Sequence, residues 1–171
     1  AAIALEMSRT LHLKGVIGIN AALSKFGGMA SWAFPMMARI IALNPFIPSY
    51  LAGLGRNSVR VEKLLKDTGS NLSNVQLSRY RTLFQDRNHV EGVLLMMAQW
   101  NLDRLLLRLS EIKTHTLLIA GERDRTVPYK VSKDVCTKLA NAETQVLMGL
   151  GHLAHEENPA LLHQKIKEFI S

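Results

Sequence analysis

Apolar positions along this chain switch between two periods. Residues 14–19 (KGVIGI) form a short apolar run rich in β-branched side chains, which predicts a buried strand. From there to about residue 112 only helical spacings occur. Val61, Leu64 and Leu65 follow Ser58 as a cap. Ser73 with Gln76 makes a capping box ahead of Leu77, Tyr80 and Phe84. Val90, Val93, Leu94 and Met97 form another stripe, and Leu102, Leu105, Leu106 and Leu109 a further one behind Asn101. The Gly27-Gly28 pair and the prolines at 35, 45 and 48 interrupt the first part of this region.

Alternation returns at Thr116. Residues 116–120 (TLLIA) and 144–148 (TQVLM) read as strands. Between them, Pro128 opens a helix carrying Val131, Val135 and Leu139 on one face. After them, Asn158-Pro159 starts a terminal helix with Leu162, Ile166, Phe169 and Ile170 buried. Continuous apolar strands alternating with helices imply a parallel sheet covered on both faces. The block between the first and second strands is too long for an ordinary connection, so it reads as an inserted helical cap. The expected organisation is a core helix and strand over 1–20, a cap over 21–112 and a second core segment over 113–171. The opening residues, AAIALEM, read as the middle of a helix without a cap, which implies that part of the fold lies upstream.

Composition narrows this picture little. Of 171 residues, 47% are hydrophobic and 20% charged, as in a globular domain. A single cysteine, Cys136, excludes an internal disulfide and fits a reducing compartment; with no signal-peptide pattern, the expected location is cytoplasmic. The apolar region 32–47 is broken by Arg39, Asn44 and two prolines, so it does not read as a membrane span. The formal charge of +7 allows peripheral contact with an anionic membrane. Because the basic residues are dispersed, no nucleic-acid partner is expected. The histidines at 12, 89, 115 and 163 show no ligand spacing, and neither a metal nor a resident cofactor is expected.

Candidate chemistry sits where parallel sheets place it, at the carboxyl ends of strands. The second strand is followed by G-E-R-D-R-T-V-P and the third by G-L-G-H-L-A-H-E-E-N-P. Asp124 and His152 therefore occupy the same end of successive strands. A carboxylate bonded to one imidazole nitrogen fixes the tautomer and leaves the other nitrogen free as a base. Taken singly, such an Asp is more often a turn residue and such a His a solvated one; their pairing and order support a catalytic reading. Glu156 or Glu157 reads as charge beside a helix start, and His155 as a surface or supporting histidine.

These two loops resemble the acid and histidine loops of α/β-hydrolases, whose chain order is nucleophile, acid, histidine, with a helical lid before the acid. A narrower resemblance covers most of the chain. The segments GINAAL (18–23), FPMMAR (34–39), NPFIP (44–48), LLKDTGS (64–70) and MMAQW (96–100), with the acid loop, are similar to the magnesium chelatase accessory proteins of bacteriochlorophyll biosynthesis. Ser24-Lys25, and His115 in place of a proline, depart from that pattern. The resemblance implies the C-terminal part of an α/β-hydrolase fold, with the nucleophile upstream of Ala1. It also implies a protein that assists magnesium insertion into protoporphyrin beside the chelatase subunits. Asp124 and His152 would be catalytic, and Asn20, Met97 and Trp100 would line the pocket of a small-molecule substrate such as a tetrapyrrole. Two other readings stay open: a serine hydrolase of ester or carbon–carbon bonds in other metabolism, and a non-catalytic tetrapyrrole-binding protein. For the latter, Trp32, Met36, Met37, Met96, Met97 and Trp100 suit a flat apolar ring, or are simply cap core.

Overall fold

The computed structural model describes residues 1–24, 44 and 46–171. The residues singled out at Lys25, Gly27, Gly28, Trp32, Phe34, Pro35, Met36, Met37, Arg39 and Pro45 lie outside these. The chain divides into two compact units. The first comprises Ala1–Ser24, Lys66–Asn71 and Leu102–Ser171, and the second Lys25–Leu65 and Leu72–Asn101. The span read as a cap, 21–112, thus contributes residues 21–24, Lys66–Asn71 and 102–112 to the unit that holds the sheet.

The first unit is built on a three-stranded parallel sheet, ordered β1 (Val16–Ile19), β2 (Thr116–Gly121), β3 (Ala142–Leu147). In the central strand all six residues are buried, which is why its sequence is continuously apolar. The last strand starts two residues earlier than its apolar run and leaves Glu143 exposed; among the described residues it has a partner on one side only. Helices cover both faces. On one, Leu117, Ile119 and Leu147 pack with Ala154 of α8 (Ala154–Glu157) and with Leu162, Ile166 and Phe169 of α9 (Pro159–Ile170). On the other, α1 (Ala2–Met7) brings the Ala1 methyl to 3.0 Å from where a Cβ on Gly18 would lie. The helix α7 (Tyr129–Cys136) packs on β2 and β3 with Ser132 and Val135 buried. His115 stands just before β2 with its ring 4.5 Å from that of Phe169.

Side-chain caps start the four longest of the described helices. The side chain of Asn158 accepts from Leu161 N–H at 3.0 Å, with Pro159 opening the helix as expected. The leucine stripe at 102–109 gives only one helical turn, α6 (Asp103–Leu106), then a 3₁₀ turn over Leu109–Glu111; Leu102, Leu105 and Leu109 are nevertheless buried.

The second unit contains α2 (Ile47–Leu54), α3 (Ser58–Asp67, its last two residues counted with the first unit), α4 (Asn74–Gln85) and α5 (Arg87–Ala98). The Ser73–Gln76 capping box forms as read. The cap of α3 is Asn57, whose Oδ1 accepts from Arg60 N–H at 3.1 Å; Ser58 is already helical. Asp86 caps α5 through Asn88 and His89 N–H. Between these helices lies an apolar cavity of about 460 Å³. Leu54, Val61, Leu64, Leu83, Phe84 and Val93 are among its walls, and Arg60 and His89 lie at its edge.

Candidate active site

Parallel strands send their carboxyl ends the same way, so the loops after β1, β2 and β3 meet. Asn20 extends the ladder by one bond, its N–H donating to Ile119 O at 2.8 Å, and then turns the chain with φ +45°. Asparagine tolerates that left-handed geometry better than most residues. Its Nδ2 donates to Asp124 Oδ2 at 2.6 Å and to Gly151 O at 3.2 Å. Its Oδ1 is buried and has no hydrogen-bond partner among the described residues.

Asp124 is the centre of the arrangement. Its side chain is fully buried. Oδ1 accepts from the N–H groups of Thr126 and Val127, both at 2.8 Å, which folds the acid loop around the carboxylate. Oδ2 is shared between Asn20 and His152 Nδ1, the latter at 2.8 Å. Burial pushes the carboxyl pKa up, but the hydrogen bonds from His152, Val127 N–H and Asn20, with the charge of the imidazole, outweigh it. The group therefore stays below its ordinary value of 3.8. An ionised Oδ2 can only accept, so Nδ1 carries the proton and Nε2 is left as the basic nitrogen. No described residue hydrogen-bonds Nε2, and the ring is one-quarter exposed.

Three loops are held together by glycines. A Cβ on Gly121 would strike the carbonyls of Leu150 and Gly151, and one on Gly151 would strike Gly69. Gly69 itself has φ +86° and lies against the Arg123 carbonyl. Polar braces reinforce the junction. Ser70 Oγ accepts from Leu153 N–H at 2.9 Å, and Arg123 N–H donates to Leu150 O at 2.8 Å. Glu157 accepts from Gly151 N–H at 2.7 Å and from Asn71 N–H at 3.0 Å. A cleft of about 480 Å³ opens between the acid loop and the 66–71 segment, with Arg123 and Arg125 exposed beside it.

The structure thus brings Asp124 and His152 together as their spacing suggested. Asn20 joins them, with its amide nitrogen given to Asp124 and Gly151. Met97 is exposed on α5 and Trp100 half-buried just after it, both within the second unit. His155 is exposed, 3.8 Å from Glu156. Glu157 is not merely helix-start charge; it holds two backbone N–H groups of the site. Gly69 and Ser70 escaped sequence reasoning, because their contacts lie more than 50 positions away and no local periodicity encodes them. The described residues contain no cluster suited to a metal ion and no helix long and apolar enough to cross a membrane.

No family model matches the chain. The fold does find counterparts. The chain superposes over 98% of its length on 63% of MenH from S. aureus, with TM-score 0.68 and 18% identity. It superposes over 99% of its length on 63% of a haloalkane dehalogenase variant from Bradyrhizobium elkanii, with TM-score 0.66 and 17% identity. It likewise superposes over 98% of its length on 60% of MGS-M2, an α/β hydrolase from a deep-sea metagenome, with TM-score 0.65 and 19% identity, and so has the α/β-hydrolase fold. In sequence it is similar to the magnesium-chelatase 30 kDa subunit of Rhodobacter capsulatus, 42% identical over 155 residues, which is 91% of this chain and 54% of that protein. The chain therefore spans about half the length of that curated relative.

Proposed function

We propose that Asp124 and His152 are the acid and the base of a hydrolytic site in a protein that assists magnesium insertion into protoporphyrin, beside the chelatase, in bacteriochlorophyll biosynthesis. The chemical half is carried by one observation, the part-buried Asp124–His152 hydrogen bond at 2.8 Å that leaves Nε2 unengaged. The biological half rests on the likeness to the Rhodobacter subunit. On this reading a serine outside this chain attacks an acyl carbon. His152 Nε2 takes the hydroxyl proton and returns it to the leaving group; water then repeats the exchange on the acyl intermediate. Asp124 holds the tautomer and stabilises the imidazolium. Ser70 does not fill the nucleophile's role, because it is buried and its Oγ is occupied by Leu153 N–H. The protein would be cytoplasmic and in peripheral contact with the membrane.

The test uses the full-length protein that carries this chain, assayed for ester hydrolysis and for chelatase-dependent magnesium insertion. His152→Ala and Asp124→Asn should each lower hydrolysis by about 10³-fold or more, and lower the assisted insertion with it. Full activity of both variants at equal protein levels would exclude the catalytic reading.

The apolar cavity of the second unit favours a second reading, in which the protein binds an apolar ring system such as a tetrapyrrole and performs no chemistry. Magnesium insertion would then survive His152→Ala and fail when the cavity is filled.

A further inference from the structure

Asn20 is an expensive residue where it stands. It is 6% exposed, it holds a positive φ, and its Oδ1 is buried without a donor among the described residues. Each of these works against stability, since a left-handed backbone strains any residue with a Cβ and an unpaired buried acceptor has lost its water. An apolar core position would carry none of the polar cost. What the residue does instead is hold two loops. One N–H of its amide goes to the oxygen of Asp124 that also receives His152, and the other to the carbonyl just before His152. A single planar group therefore fixes the carboxylate and the histidine loop relative to each other. The two bonds to Asp124 Oδ1 come from the acid loop's own backbone and cannot do this, because they follow the loop wherever it moves.

We infer that Asn20 is a positioning residue for the acid–histidine pair, setting the orientation of the Asp124 carboxylate and thereby the Nδ1–H tautomer of His152. The inference rests on reading Asp124 and His152 as an acid–base pair. Asn20 touches no reacting atom in this role; it acts through Oδ2 and the Gly151 carbonyl.

The test is nitrogen-15 NMR of His152 in the full-length protein, together with a thermal melt. Asn20→Gly removes the amide and keeps the φ accessible, so backbone strain cannot account for its effect. It should speed solvent exchange of the Nδ1 proton at least tenfold and mix the tautomers, while the melt stays cooperative. Asn20→Asp gives a second reading. Two carboxylates at this separation share a proton, so slow exchange should return at acid pH, where the shared proton replaces the lost donor, and disappear as that proton leaves. If Asn20→Gly leaves exchange and tautomer unchanged while Asp124→Asn alters both, the inference is overturned and the pair stands. If Asp124→Asn alters neither, the pair itself is wrong, and the inference falls with it.

Discussion

Gly69 and Gly151 meet backbone to backbone: a Cβ on Gly151 would collide with the Gly69 carbonyl. Because backbone cannot swing aside as a flexible side chain does, Gly151→Ala should cost about 1–3 kcal/mol, as overpacking does. Two other glycines serve as controls. Gly149 has φ +74° and open space, so Gly149→Asn should cost only the strain of a left-handed backbone, about 1 kcal/mol or less. Gly92 sits inside α5 with nothing near its missing Cβ, so Gly92→Ala should stabilise by about 0.5–1 kcal/mol. Urea midpoints of the three variants check the order.

Glu157 links the histidine loop to the 66–71 segment through two backbone N–H groups. Hydrogen bonds to a charged acceptor are stronger than neutral ones, and Glu157→Ala should cost about 2 kcal/mol. Glu157→Gln keeps one acceptor oxygen and should lose less. The same denaturation series, with the His152 ring resonances as a local probe, measures both effects.

The pH dependence has a definite sign. The Asp124 pKa is lower in the folded protein than the ordinary value of 3.8, so the unfolded chain binds more protons between the two. The stabilisation is complete above the unfolded value and is lost as pH falls through the folded one. Urea midpoints measured from about pH 6 down to about pH 3 should fall less steeply for Asp124→Asn than for the parent. Equal slopes would mean that Asp124 is not held ionised by its partners.

The cavity in the second unit makes a prediction of its own. Its wall includes Leu64 and Leu83, which remain 52% and 41% exposed, so an apolar anion such as anilinonaphthalene sulfonate should bind there beside Arg60. Val93→Phe should weaken the fluorescence increase at least several-fold, and Arg60→Gln to a smaller extent. An unchanged signal in Val93→Phe would place the dye elsewhere.

How much of this was legible in the sequence varies with the range of the interaction involved. The loops bearing Asp124 and His152 each follow an apolar run by a few residues, so their position and pairing could be read directly. The Ser73 and Asn158 caps were legible for the same reason, their partners lying three residues away. The cap of α3 was misplaced by one residue because Asn57 and Ser58 are both good caps, and only the backbone geometry chooses between them. The bonds of Asn20 to the acid–histidine pair and the close approach of Gly69 resisted because the sheet brings their partners from far along the chain. Glu157, with partners 6 and 86 positions away, was hidden for another reason: a glutamate in the first turn of a helix always has the dipole as a sufficient explanation.

The two bonds of the Asn20 amide close sequence separations of 104 and 131 residues, whereas the Asp124–His152 bond closes 28. Chain closure over such distances must be met before the contacts repay it, and it slows folding. The acid–histidine pair can form once β2, α7 and β3 have folded as a local unit. Its clamp also needs β1, which pairs with β2 across the whole intervening stretch of chain. Assembly of the site is thus a topological event rather than a local one, and the contacts of longest range are those that give the pair its geometry.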